Sequence, residues 1–108
     1  MELKNKKCKP CEGGMPPLTN PEIKAFAEMI HQDWTVVEGM KLSRDFQFVN
    51  FKQTMEFVNT LANIAEDEGH HPVMCVSYSE CKVELWTHAI NGLSENDFIL
   101  AAKIDAIR

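Results

Sequence analysis

The sequence predicts an α+β fold with elements in the order α-β-β-α-β-β-α, one four-stranded antiparallel sheet with helices packed on one face. Three observations carry this. Two segments, 34–48 and 71–87, have the β-branched, aromatic and alternating apolar residues of strands, each broken once by a turn. Three other segments repeat apolar residues at helical spacing behind a capping residue. The chain has 108 residues, 44% hydrophobic and 25% charged, which suits one domain that buries its own core.

Residues 1–17 read as an extended N-terminal arm, because Pro10, Gly13, Gly14, Pro16 and Pro17 interrupt helix and central strand alike. Residues 18–108 form the single domain. Thr19-Asn20-Pro21-Glu22 starts the first helix. Either Thr19 caps it, with Glu22 closing a capping box, or Asn20 caps it with Pro21 at the first helical position. Ile23, Phe26, Ala27 and Ile30 give one apolar stripe, and the helix is expected to end near His31, where a positive charge suits the helix dipole. Trp34 to Val37 is the first strand and Glu38-Gly39 the turn. In the second strand Met40, Leu42, Phe46 and Phe48 point one way and Lys41, Ser43, Asp45 and Gln47 the other, with Arg44 breaking the apolar face.

Asn50 caps the second helix, whose buried stripe is Phe51, Met55, Val58, Leu61, Ala62 and Ala65, and Gly69 is its C-cap. The second hairpin pairs His71–Tyr78 with Cys81–Thr87. With Ser79-Glu80 as a two-residue loop, Tyr78 faces Cys81, Val76 faces Val83 and Met74 faces Leu85, which gathers one apolar face and makes Tyr78 a core residue. Ser94 caps the last helix, with Asp97 in its first turn and Ile99, Leu100, Lys103 and Ile104 beyond.

The formal net charge is -5, and the basic cluster Lys4, Lys6, Lys7 and Lys9 is confined to the arm. That argues against a nucleic-acid partner. No apolar run approaches the roughly 18–20 residues of a membrane span, and the first residues lack a signal peptide's apolar region. No membrane partner is expected, and the cytoplasm is the expected location. Cys8 and Cys11 form a Cys-x-x-Cys pair, but Cys75 and Cys81 are spaced too widely to complete a four-cysteine zinc site. The pair also lacks the strand-then-helix context of a thioredoxin motif, so free thiols are expected.

The hairpin register sets His88 opposite His71, with His70 adjacent. Three of the four histidines therefore converge from distant sequence, just beyond Glu66, Asp67 and Glu68. Imidazoles move protons in both directions near neutral pH, and a nearby carboxylate fixes their tautomer. Three histidines also suit a metal ion, although adjacent histidines on extended chain point apart. Spacing alone names no reaction.

The run Glu66-Asp67-Glu68-Gly69-His70-His71-Pro72, then Tyr78, then Trp86-Thr87-His88, then Gly92-Leu93-Ser94 and Asp97, resembles the pterin-4a-carbinolamine dehydratase family. That family's pattern is an acidic residue, three spacers, His-His-Pro, an aromatic residue, a distant Thr-His, and Gly-Leu-(Ser/Thr) leading to an Asp. The resemblance extends from Leu18 to Ile107 and includes Trp34. The arm's Lys7-Cys8-Lys9-Pro10-Cys11-Glu12-Gly13-Gly14 is similar to the arm of microbial members.

The resemblance implies a hydro-lyase, a 4a-hydroxytetrahydrobiopterin dehydratase. Its reaction would be dehydration of 4a-hydroxytetrahydropterin to quinonoid dihydropterin and water, supporting tetrahydropterin recycling. It implies no cofactor and no metal, a reduced pterin as substrate, and an aromatic amino-acid hydroxylase as the candidate partner. His70 and His88 are the implied proton-transfer pair, with His71 contacting and orienting the pterin. Glu66 and Asp97 would hold or tune the imidazoles. Trp34 would wall the pocket, and Gly69, Trp86, Thr87 and Ala89 would lie along the substrate. Trp34 equally suits core packing, Asp97 a helix N-terminus, and Glu66 a solvated helix end. Two positions depart from the family. Ala89 follows His88 where members often carry an acidic or polar residue, and Gly69 stands where some have Asp; both bear on pterin side-chain preference. The competing reading is a non-catalytic protein-binding module, as a dimerisation cofactor or as a partner in hydroxylase or molybdopterin pathways. Unpaired sheet edges and the family's assemblies imply a homodimer or homotetramer.

Overall fold

A computed structural model describes residues 2–9 and 16–107. Cys11, and with it the Cys8–Cys11 pair, lies outside them, as do Pro10, Gly13 and Gly14. The element order is α1 (Asn20–Ala27), β1 (Thr35–Val37), β2 (Lys41–Gln47), α2 (Phe51–Glu68), β3 (Val73–Val76), β4 (Glu80–Leu85) and α3 (Glu95–Ile107), with 3-10 turns at Leu3–Asn5 and His88–Ile90. The strands form one antiparallel sheet in the order β1-β2-β4-β3, in the predicted α+β architecture. β2 and β4 join the two hairpins, setting Leu42 opposite Leu85, Arg44 opposite Val83 and Phe46 opposite Cys81. Among the described residues no helix is long and apolar enough to cross a membrane.

Thr19, not Asn20, caps α1: its hydroxyl accepts from the Glu22 N–H, and the Glu22 carboxylate accepts from the Thr19 N–H at 2.8 Å. α1 stops at Ala27, one turn short of His31. The Met29 N–H bonds back to the Phe26 carbonyl, a tight last turn that ends the helix. His31 then donates its own N–H to Asp105. Glu38 and Gly39 both have positive φ, 53° and 68°, the pair a tight hairpin needs.

Leu42 and Phe46 are buried on the helix-facing side of β2 as expected, while Met40 at the strand's mouth is exposed. Arg44, which breaks this apolar face, is accommodated by a partner from α3. Its Nη1 donates to Asp105 at 2.7 Å, the Trp34 indole N–H donates to the same oxygen at 2.7 Å, and the guanidinium lies 4.4 Å from the Phe46 ring.

Two expectations need correction. The side of α2 that faces the core carries Thr54, Phe57, Leu61 and Ala65, while Phe51 is 49% exposed. A buried threonine is possible there because its hydroxyl donates to a carbonyl within hydrogen-bond reach, at Asn50 or Tyr78. The β3–β4 register is slipped by two residues: Val76 faces Cys81 and Met74 faces Val83. The loop is Tyr78-Ser79, and Tyr78 is 67% exposed instead of core. The slip is set from outside the hairpin, where the Phe48 N–H donates to the Ser79 carbonyl and Thr54 reaches that of Tyr78.

α3 is apolar nearly all round, with Phe98, Ile99, Leu100, Ala101 and Ile104 buried. A helix of that kind is a central one. α1 and α2 pack on it, and so does the Leu3–Asn5 turn of the arm.

Candidate active site

Three local structures converge on one cleft. The first is the end of α2. Gly69 is left-handed (φ 64°, ψ 26°), its N–H reaches the Glu66 carbonyl, and the His70 N–H reaches the Ala65 carbonyl. This double closure ends the helix and fixes His70 two residues past its last turn. The second is the end of β4. Thr87 forms an isolated bridge to Gly92, enclosing the His88–Ile90 turn, and Asn91 closes that turn with φ 50°. Gly92 has no room for a side chain, since a Cβ there would lie 2.8 Å from Pro17. The third is the N-terminus of α3, which presents Asn96 and Asp97.

Asp97 ties these together. It is fully buried. Its Oδ2 accepts from the Thr87 hydroxyl at 2.9 Å and from the Ser94 N–H at 3.0 Å, and its Oδ1 meets His70 Nε2 at 2.6 Å. Thr87 spends its only hydroxyl proton on Asp97, so Ser94 is the donor in the 2.7 Å bond between the two hydroxyls. A carboxylate only accepts. His70 therefore carries its proton on Nε2, and the neutral ring holds its lone pair on Nδ1.

The other two imidazoles are placed differently. His71 Nε2 meets Glu66 Oε1 at 2.7 Å, with the imidazole 62% exposed; such a pair orients the ring but adds little stability. His88 is exposed, its ring 4.5 Å from that of Trp86. Among the described residues it takes no side-chain hydrogen bond.

All three histidines line a cleft of about 590 Å3, within the ordinary range for a small-molecule site. Gly69, His70, His71 and Pro72 form one wall, and Trp86, Thr87, His88 and Ala89 another. The expected His71–His88 cross-strand pair is not formed: β4 ends at Leu85, and the observed register extended outward sets Trp86 across from His71. The cleft, not the ladder, brings them together. Asp97 lies beneath His70, and Glu66 beside His71. Trp34 stands apart from the cleft, buried against Phe46 with its indole N–H on Asp105.

A third wall was missed by sequence reasoning: Cys8, Lys9, Glu68 and Asn96. The Cys8 N–H donates to Glu68 Oε1 at 2.8 Å and the Lys9 N–H to Asn96 Oδ1 at 2.9 Å. No local pattern marks partners so far apart in sequence. Burial, reinforced by the Glu68 charge and hydrogen bond, pushes the Cys8 thiol up to about 12, so it stays protonated and is no nucleophile. Burial alone would raise the Glu68 carboxyl, but the Cys8 N–H and the charges of Lys103 and Lys7 outweigh it and hold the group below its ordinary value. Among the described residues no group of three or more His, Cys, Asp or Glu is arranged to hold a metal ion. A somewhat larger hollow of about 650 Å3 lies beside Leu3, Met29, His31 and Asp105. Of its two carboxylates, Asp105 is committed to Arg44, Trp34 and the His31 backbone N–H, and Glu2 pairs with Lys4, so it offers no comparable acid–base pair.

The chain is similar to proteins of one family. The family profile described as Pterin 4 alpha carbinolamine dehydratase matches residues 16–107. A protein of Nitrosomonas eutropha that carries the provisional name pterin-4-alpha-carbinolamine dehydratase is 50% identical over 106 residues, 98% of this chain and 93% of its own length. One of Rickettsia canadensis, provisionally named likewise, is 50% identical over 104 residues, 96% of this chain and 95% of its own. Among solved structures, a transcriptional coactivator/pterin dehydratase from Brucella melitensis superposes with a TM-score of 0.79 at 33% identity, covering 84% of this chain and 97% of that one. A pterin dehydratase-like protein identified as a RuBisCO assembly factor in the alpha-carboxysome superposes at 0.61 and 25% identity, covering 71% and 90%.

Proposed function

The chain belongs to the pterin 4 alpha carbinolamine dehydratase family, and from that premise we propose that its cleft removes water from a 4a-hydroxytetrahydropterin. The C4a–oxygen bond breaks with its electron pair leaving on oxygen, and one imidazolium protonates that oxygen to give water. The lone pair of the adjacent ring nitrogen closes a C=N bond, and a neutral imidazole takes the proton that nitrogen carried. The product is the quinonoid dihydropterin. The observation that carries this reading is the buried Asp97–His70 pair at 2.6 Å, with His88 on the same cleft.

His70 suits the base. Asp97 occupies Nε2, leaves Nδ1 with the lone pair, and stabilises the imidazolium that forms, as the orienting carboxylate of a hydrolase triad does. His88 then supplies the acid, and Trp86 beside it offers an aromatic face to the pterin ring system. His71, steered by Glu66, orients the substrate. An aromatic amino-acid hydroxylase would supply such a carbinolamine. β1 and β3 are the edges of the sheet, and Val73 and Val76 on β3 are exposed, which supports a homo-oligomer.

Stopped-flow dehydration of synthetic 4a-hydroxytetrahydropterin tests the reading. His70→Ala and His88→Ala should each slow turnover by about 100-fold or more; near-normal rates in both would overturn the roles. A second reading, a protein-binding module without turnover, is favoured by the likeness to the carboxysome assembly factor. It would be supported by a specific partner bound by a protein that does not dehydrate the pterin.

A further inference from the structure

The third wall of the cleft plays no part in the proton transfers. We propose that the N-terminal arm is part of the substrate site: Cys8 and Lys9 wall the bound pterin, and Asn96 is the positioning residue that holds them there. This rests on the dehydratase reading.

Four observations carry it. Cys8 and Lys9 line the same cleft as the three histidines. Their backbone is held by side chains of the site's own framework and not by a sheet. Asn96 accepts from the Lys9 N–H at 2.9 Å and donates its amide to the Lys9 carbonyl, while Glu68 accepts from the Cys8 N–H at 2.8 Å. A two-way amide pair fixes both the position and the direction of the strand it grips. Asn96 is itself 7% exposed, so loss of the arm would strip a buried amide of partners it has here. Finally, the arm is anchored upstream. Leu3 is buried, Lys6 pairs with Glu95 at 2.7 Å, and Lys103 donates to the Lys4 carbonyl at 2.8 Å.

The wall adds contact area and excludes water; it moves no proton. Asn96 also immediately precedes Asp97, so one helical turn supports both the base and the wall. The predicted signature is therefore a change in KM with kcat preserved.

The test uses the whole chain and two variants. Asn96→Ala removes both bonds from the framework side. Lys9→Pro removes one donor from the exposed arm side, at a position outside any helix or strand, and it decides the matter if Asn96→Ala does not fold. KM and kcat come from stopped flow. Arm docking is read from iodoacetamide alkylation of Cys8 at mildly alkaline pH, followed by peptide mass mapping. Alkylation should be slow in the wild type, slower still with saturating tetrahydrobiopterin, and about tenfold faster or more in the variants. KM should rise about fivefold or more with kcat within about twofold.

Variants that free Cys8 yet keep KM would overturn the proposal, as would loss in kcat alone. Variants that leave Cys8 protected would overturn the role of Asn96. Those outcomes presuppose an active wild type. A wild type that neither binds nor dehydrates a pterin fails the dehydratase reading first, and this proposal with it.

Discussion

Replacing Asp97 by Asn keeps the side chain's shape and removes its charge, and the consequence can be worked through atom by atom. Asp97 accepts three hydrogen bonds, two at Oδ2 from Thr87 and Ser94 and one at Oδ1 from His70. An amide has one accepting oxygen and one donating NH2. With two donors converging on the Oδ2 position, the amide oxygen settles there and the NH2 turns to His70. Nε2 must then accept, the ring's proton moves to Nδ1, and the nitrogen proposed as base becomes a donor. In stability the exchange turns three charge-assisted bonds into neutral ones, about 2–4 kcal/mol in all. In rate it misplaces a general base, which costs about 10²–10⁴ in kcat, or about 3–5 kcal/mol on the barrier. KM should barely move, since Asp97 lies under His70 and not on the cleft. The assay is stopped-flow absorbance of the quinonoid product, with circular dichroism to show that the variant is folded. A folded Asp97→Asn protein with kcat within about threefold of wild type would refute the tautomer argument.

Two stability predictions follow from the same geometry. The Glu68 carboxyl lies below its ordinary 4.5, so its stabilisation is complete above that value and is lost as pH falls through the lower folded-state value. Glu68→Gln should therefore unfold at lower urea than wild type at neutral pH, and the gap should close in acid; a gap that persists undiminished would contradict the linkage. Glu38 occupies a left-handed conformation (φ 53°) that asparagine tolerates far better. Glu38→Asn, which creates the favoured Asn-Gly turn, should stabilise the hairpin by about 0.5–1 kcal/mol and raise Tm, while a lowered Tm would show that Glu38 makes a compensating contact.

Much of the fold was legible because alternation and helical spacing say which face of an element is buried. Leu42, Phe46, Cys81, Val83 and Leu85 all lie on the helix-covered face. What alternation cannot say is how far one strand slides along another in steps of two. Every residue that stays in a strand keeps its face under such a slip, and only Tyr78, carried into the loop, changes its surroundings, so the displaced β3–β4 register left no trace in the strand pattern. The α2 stripe was misplaced for a different reason. Thr54 reads as a surface residue until its hydroxyl's carbonyl partners are known. Arg44 looked like an interruption because its partner, Asp105, lies sixty-one residues away on α3.

The candidate site divides in the same manner. The histidines, and the carboxylates beside them, were visible as motifs. Geometry then separated the carboxylates, giving Asp97 to His70 and Glu66 to His71. Trp34 went to the Asp105 network and not to the cleft. The arm's contribution was invisible, because Cys8 and Lys9 find their partners at Glu68 and Asn96 only in three dimensions.

Asp97 holds two posts at once. Its Oδ2 ties the Ser94 N–H and the Thr87 hydroxyl and so closes the corner between β4 and α3, while its Oδ1 serves His70. A chain of this shape that abandoned the chemistry would still need that corner. It could shed His70 and His88 and retain the aspartate for architecture alone. The buried carboxylate is thus a part of the folded corner in its own right, and the imidazole above it draws on a group the architecture already holds in place.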